Sequence, residues 1–426
     1  MVHCERHMRA ALPTLLRFAP LWMFMFLFKM AAGLHYVIFA PLAERVLPLP
    51  VVGMLVAAAA CCQLLLDVPA GFLLDRLGYV RLLRWTTVCF LIAGAVLSVG
   101  LTPGVLVLSL AMSVWGWLFF DPGVAAYLLA HTSAGIAGRV MSVRDTVEAS
   151  GLLISVAGLA WLLAVPLSVT SAILIGCFGA SLVVLGFVPE ETHSVHTERK
   201  ISTHHYFVRR HATLAHLRQT MRRLNPASTM LLVSGFSSTV FYGILWFVVP
   251  IMIGRGEGAI PSIGLGIFDI AIIACGFVMG RLADRWNRGW LVLMGLLLFA
   301  TAGAVLGFMF GIWFLLLGFL AATGDEMAGV ALWAWLHQLD RDHAEDAAVA
   351  GTITMVRDFG WTVGPLLAGF LLGSIGPAWT ITVGAGFAFV AWGVAAAKLG
   401  RIQVLAFVRQ PFSVLPPYPH RRRHKG

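Results

Sequence analysis

Charged side chains are scarce in this sequence, and those that fall inside long apolar stretches carry its chemistry. They are Lys29, Asp67, Asp121, Glu148, Asp269, Asp325, Glu326, Arg357 and Asp358. A charge held in hydrocarbon costs roughly 3 kcal/mol or more, so such residues mark binding sites, proton relays or buried ion pairs. Desolvation favours the neutral form of a carboxylate, which lets a buried acid exchange protons near neutral pH. Lys29, Asp325 and Glu326 sit nearest the middle of their runs, with Asp121 and Asp269 somewhat off it. These five are the candidates for binding a substrate or a proton. The plainer reading is an interhelical ion pair, Lys29 with Asp121 or Asp325. Four acids against one lysine leave an excess of negative charge, which favours a proton or a cationic substrate over an anion. Asp67, Arg144, Asp145, Glu148, Arg357 and Asp358 lie within about two helical turns of one end of their runs and read as gate or charge-network residues. Arg144 and Glu148 are spaced i,i+4 and share a helix face. His35, Tyr36, Tyr127, Tyr242, Trp246 and Trp333 can complete a pocket, although Tyr and Trp also anchor helices at a membrane surface.

The elements that must position these residues follow from composition. The chain is 59% hydrophobic and 12% charged, with a mean hydropathy of +0.87; a soluble domain carries about 25% charged residues. A globule in water needs polar cover, so the apolar excess must face a bilayer. A spanning helix takes about 20 mostly apolar residues, and such runs occur near 18–43, 49–72, 82–101, 104–130, 144–168 and 170–188, then near 228–253, 261–281, 289–309, 312–336, 351–373 and 376–398. The expected fold is an all-α membrane protein of twelve transmembrane helices. The first run is too long for the apolar core of a cleavable leader. Of the 30 basic residues, only Arg45 and Arg255 fall in loops of one side and Lys29 within a span. The other side also holds both termini and the polar stretch 189–226, so the positive-inside rule makes it the cytoplasm of a cell membrane. That asymmetry accounts for the net charge of +10 without nucleic acid. Six cysteines have no zinc or disulfide spacing and read as packing residues.

Two halves repeat. Gly71-Phe-Leu-Leu-Asp75-Arg76 returns as Gly280-Arg-Leu-Ala-Asp284-Arg285, 209 positions later, and at the same offset Pro41 matches Pro250. Val143-Arg144-Asp145 returns as Val356-Arg357-Asp358, and His131 as His337. The expected organisation is a six-helix bundle at 1–188, a linker at 189–226, a second bundle at 227–400 and a basic tail at 401–426. Parallel repeats place a binding site at their interface near the bilayer midplane.

The stretch Gly71 to Gly78, with Arg81 beyond it and the lead-in Asp67-Val68-Pro69-Ala70, resembles the G-x-L-x-D-R-x-G-R-R/K loop of the major facilitator superfamily. The second copy departs from the pattern after Asp284-Arg285, at Trp286 and Asn287. The resemblance covers nearly all of the chain. It implies two pseudo-symmetric six-helix bundles, with Asp75 facing the start of the eleventh helix and Asp284 the start of the fifth. Arg76, Arg81 and Arg285 would pair with cytoplasmic acids or lipid phosphates, and the whole set would latch the cytoplasmic side in one state. Glycines at 71, 78 and 280 would permit tight reversal and close helix approach. Helices 1 and 7 would line the cavity, which draws in Tyr36, Tyr242 and Trp246.

Residues 189–226 hold six histidines, His193, His196, His204, His205, His211 and His216. Their spacing fits no tight metal site, and Phe207, Leu214, Leu217, Met221 and Leu224 instead describe an amphipathic helix on the inner leaflet. The tail after 400 is basic and proline-rich and reads as disordered. No phosphate-binding loop, H-E-x-x-H or G-x-S-x-G pattern is present. The sequence therefore points to a secondary transporter and away from an enzyme, with no cofactor and no metal. Its partners would be a small-molecule substrate, protons and membrane lipids, and it would act as a monomer. Export of a cationic or amphipathic compound with proton coupling is the leading reading; proton-coupled import of a small metabolite and a transporter-like receptor without flux are the others.

Overall fold

The computed structural model describes residues 17–132, 137–190, 226–256, 262–339 and 343–409. Among the described residues there is no β-strand. The first half contains α1 (Ala19–Glu44), α2 (Leu49–Leu77), α3 (Tyr79–Leu97), α4 (Pro103–Ala130), α5 (Ala137–Ala157), the short α6 (Leu159–Ala164) and α7 (Leu167–Leu185). The second contains α8 (Pro226–Arg255), a 3-10 turn at Ser262–Gly264, α9 (Gly266–Arg285), α10 (Arg288–Leu306), α11 (Gly311–Leu339) and α12 (His343–Arg409).

Among the described residues nine helices are long and apolar enough to cross a membrane: α1 to α4, α7, α8 and α10 to α12. The apolar part of α12, Met355–Leu399, has 45 residues. At 1.5 Å per residue that is about twice the thickness of a hydrocarbon core, so α12 supplies two spans. Its interruption is local: Gly376 has a φ of 78° and Pro377 follows. α5 with α6, and α9, fall outside that set, and counting them is consistent with the twelve spans expected from the sequence. Pro166, in extended backbone, separates α6 from α7. Helical structure continues to Arg409, so the tail read as disordered from 401 begins as helix. The proposed amphipathic helix and histidine cluster of 191–225 lie outside the described residues.

The same tight turn is made in two ways. Gly78 closes α2 and opens α3 with a φ of 87°, a conformation in which a Cβ is strained. At the matching place 209 positions on, Asn287 keeps a negative φ and caps α10, its side chain accepting from the N–H groups of Gly289 (3.0 Å) and Trp290 (3.4 Å). The apparent decay of the second motif is thus a substitution of one turn chemistry for another. Gly280 does not serve close approach, since a Cβ there would meet nothing within 4 Å; its face of α9 is open.

Packing also sets the register of the repeat. A Cβ on Gly151 would lie 2.7 Å from the carbonyl of Phe26 and close to Lys29 and Met30; one on Gly360 would lie 2.8 Å from that of Phe236 and against Thr239. Gly33 meets Ser155 as Gly243 meets Gly364, and Gly116 crowds Phe90 as Gly324 crowds Phe299. These pairs superpose the halves at an offset near 209 throughout. The match of Arg144-Asp145 to Arg357-Asp358 is therefore one helical turn out of register: Arg357 occupies the place of Glu148, because glycine-to-backbone contacts, not the identity of a charged residue, determine how two helices seat.

The closest contacts between the halves gather at one end, where α1 and α8 finish. Gly53 of α2 and Gly369 of α12 cross so tightly that a Cβ on either would lie 2.8 Å from the other's Cα. Gly254 packs on Pro41, Gly266 on Leu153, and Arg255 Nε donates to Glu44 Oε1 at 2.8 Å. The opposite end, where α1 and α8 begin and the α2–α3 and α9–α10 turns lie, carries most of the basic residues. Large apolar side chains such as Leu65, Trp85, Trp161, Val183, Phe187 and Val390 are exposed around the outside, the expected lipid face.

Candidate functional site

Below the sealed end a cavity of about 530 Å³ lies between the halves, within the roughly 300–1,000 Å³ range of small-molecule pockets. Both sides contribute. α1 brings Tyr36 and α4 brings Asp121; α8 brings Tyr242 and Trp246, α9 brings Asp269, and α11 brings Asp325 and Glu326. Arg357 and Asp358, grouped by the sequence with the gate, also line it. Their α12 segment passes beside α8, where the Arg357 side chain packs on Gly235.

Lys29 does not line the cavity. It lies behind the wall, where its Nζ meets Asp121 Oδ1 at 3.1 Å and Glu148 Oε2 at 3.2 Å. The ammonium also sits over the rings of Trp117 (4.7 Å) and Phe120 (4.9 Å), so cation–π attraction adds to the ion pairs. Arg144 closes the ring of charges, contacting Asp121 at 3.1 Å and Glu148 at 2.9 Å. Two cations thus meet two carboxylates at the crossing of α1, α4 and α5. Asp121 is the member that looks into the cavity, with 45% of its side chain exposed against 13–15% for the other three. Lys29 and Asp121, read as binding candidates, and Arg144 and Glu148, read as gate or charge-network residues, form one network, because Arg144 and Glu148, on adjacent turns of α5, reach Asp121 on α4 and Lys29 on α1 respectively.

The second half is arranged differently. Asp325 lies near the hydroxyls of Ser238 and Tyr242 and faces Arg357. Glu326 turns its Oε1 toward α9, where a Cβ on Gly276 would lie 3.6 Å away. Asp269 has a buried Oδ2 with no hydrogen-bond donor among the described residues. The wall beside these acids is aromatic: Tyr242 stands edge-on to Phe268 (5.6 Å between centroids), and Tyr36 meets Trp246 across the boundary between halves at 6.0 Å.

The remaining gate candidates are placed only in part. The side chains of Asp67, Asp75 and Asp284, and Gly71 beside them, lie outside the described residues, as does His337. Arg76, Arg81 and Arg285 are exposed at the basic end. Sequence reasoning missed Ser238, Trp117 and Trp361, which all face the cavity. His35 is buried, its Nε2 lies 2.8 Å from Ser109 Oγ, and that hydroxyl donates to the Ala93 carbonyl. The serine can then only accept, so His35 carries its proton on Nε2. Among the described residues no cluster of three metal-ligating side chains occurs.

Known proteins supply the remaining context. No curated protein sequence matches the chain. Among solved structures, the peptide transporter POT in complex with sulfate superposes with a TM-score of 0.67 at 14% identity, covering 92% of this chain and 95% of that one. The nucleoside transporter NupG gives a TM-score of 0.67 at 13% identity, covering 91% and 100%. At such identities the likeness is one of fold. The sequence profile of the Major Facilitator Superfamily matches residues 14–363, and with two halves around a central cavity in place, the chain belongs to that superfamily.

Proposed function

We propose that this protein is a proton-coupled secondary transporter that exports cationic or amphipathic small molecules across the cell membrane by alternating access. The observation that carries the reading is the cavity between the halves, sealed at one end by the Gly53–Gly369 crossing and the Glu44–Arg255 pair, and lined by five carboxylates against the single guanidinium of Arg357. A negative, aromatic pocket favours positive charge. In this reading residues 1–188 and 227–400 rock as two bodies joined by 189–226, with both termini and the linker in the cytoplasm, and the structure is the inward-facing state. The substrate site comprises Tyr36, Tyr242, Trp246, Asp269, Asp325 and Glu326. The Lys29–Asp121–Arg144–Glu148 network holds the first half together beside it. The loops around Asp75 and Asp284 latch the cytoplasmic side when the far side opens. Protonation of Asp325 or Glu326 removes the cost of carrying a bare carboxylate through the closed state.

Purified protein in liposomes loaded with a pH dye tests this directly. A panel of organic cations, amino acids, sugars and organic acids is added, and a substrate-driven pH change absent from empty liposomes is expected for cations. A response confined to neutral or anionic solutes would refute the cationic assignment.

A further inference from the structure

The acids lining the cavity sit on α4, α9, α11 and α12. Between Asp121 and the sealed end, the first-half wall is polar but uncharged. His35 of α1, Gln63 of α2 and Ser113 of α4 all line it. None of them belongs to the charge network. Along the helices His35 lies about 9 Å from Lys29, and Ser113 about 12 Å from Asp121, each toward the sealed end. His35 is 2% exposed and Ser113 4%. The imidazole is held in place, 6.4 Å from the Phe39 ring and 5.9 Å edge-on to Phe90. With its proton on Nε2, directed at Ser109 Oγ, Nδ1 is an acceptor, and it has no donor among the described residues. Ser113 donates its hydroxyl proton to the Leu110 carbonyl at 2.7 Å, so its oxygen too can only accept. The Gln63 carboxamide makes no hydrogen bond among the described residues. The helix crossings do not require these groups. α1 matches α8 at an offset of 210 (Gly33 with Gly243), α4 matches α11 at 208 (Gly116 with Gly324) and α2 matches α9 at 209 (Gly71 with Gly280), which puts Leu245, Ala321 and Ile272 at the corresponding places. All three are apolar.

We propose that His35, Gln63 and Ser113 form a subsite for a neutral hydrogen-bond donor, a hydroxyl or N–H of the ligand, separate from the carboxylates that take its cation. The wall offers two acceptors whose own protons are already committed, and one amide that can serve either way. A buried acceptor without a donor is unfavourable, so a ligand that brings one is preferred over a ligand of the same shape that does not. Because the wall is uncharged, it selects without opposing the cation held across the cavity. The inference rests on the transport reading above and narrows its substrates to ammonium compounds with a hydroxyl or N–H at the end away from the charge.

The full chain in detergent is titrated calorimetrically with three amines of similar shape. Tyramine carries a phenolic O–H at the end away from its ammonium, phenethylamine lacks that oxygen, and 4-methoxyphenethylamine keeps the oxygen but has no donor there. Wild-type protein is expected to bind tyramine about fivefold more tightly than either of the others, the effect of one hydrogen bond. In Gln63→Leu/Ser113→Ala, tyramine is expected to weaken to the level of phenethylamine, while phenethylamine binds as it does to the wild type. Asp325→Asn is expected to weaken all three amines by similar factors and to keep the preference for tyramine. Equal affinities in the wild type, an undiminished tyramine preference in the double variant, or an equal weakening of all three amines there overturns the subsite and leaves the cationic transport reading standing. If none of the amines binds the wild type, the cationic reading falls and the subsite falls with it.

Discussion

In the first half, Lys29 and Arg144 meet Asp121 and Glu148 at 2.9–3.2 Å, with only Asp121 looking into the cavity; in the second, Asp325, Glu326 and Asp269 face the cavity with Arg357 as their nearby cation. The scaffold is the same in both, since glycine contacts seat α5 on α1 and the matching segment of α12 on α8 in one register. What differs is where the compensating charge comes from. A closed network costs nothing further when the halves move, because its charges travel together. A site with surplus carboxylates must take up a cation, whether proton or substrate, before it can cross a closed state cheaply. The two halves thus hold a paired charge cluster on one side and cavity-facing carboxylates on the other.

The comparison can be broken most severely at Asp325. Asp325→Asn is expected to reduce proton-coupled flux by at least about 100-fold while leaving a monodisperse, folded protein, as read by liposome assays and gel filtration; each factor of ten corresponds to about 1.4 kcal/mol of transition-state stabilisation. The converse holds for Lys29. Lys29→Ala leaves the buried Glu148 with Arg144 as its remaining cation and is expected to cost up to about 3 kcal/mol of stability, measured as a fall in thermal midpoint; the Lys29→Ala/Glu148→Gln double variant should recover part of it, and strictly additive losses would show that the network is not coupled.

Smaller effects address the seal and the turns. Gly53→Leu places a side chain against Gly369 where even a Cβ has no room, so it should prop the far end open; cysteines introduced at cavity positions such as Gln63 would then become labelled from that side. Least of all, Asn287→Ala is expected to cost about 1 kcal/mol through the lost helix cap, and Gly78→Ala about 1 kcal/mol through a Cβ at positive φ. A null result at Asn287 with a loss at Gly78 would mean that only the first turn bears on stability.

The spans, the doubled loop and the set of buried charges were legible in the sequence because each is local: a run of about 20 apolar residues, a recurring Asp-Arg pair, and an ionisable residue inside hydrocarbon need no partner to be recognised. Asp121, Asp269, Asp325 and Glu326 came from that reading, and Tyr36, Tyr242 and Trp246 from the resemblance; all line the cavity, whereas Lys29 does not. Which charge answers which was not legible. Lys29 had Asp121 and Asp325 as equal partners, and helix rotation and crossing depth, which depend on glycine-to-backbone contacts far along the chain, chose Asp121 with Glu148 and Arg144. The same contacts shifted Arg357 by a turn from the match suggested by Val-Arg-Asp and carried it to the cavity. Sequence alone determined that this chain crosses a membrane as two related halves with acids inside it; tertiary packing decided which of those acids are already paired, because pairing depends on three-dimensional approach between helices and not on distance along the chain.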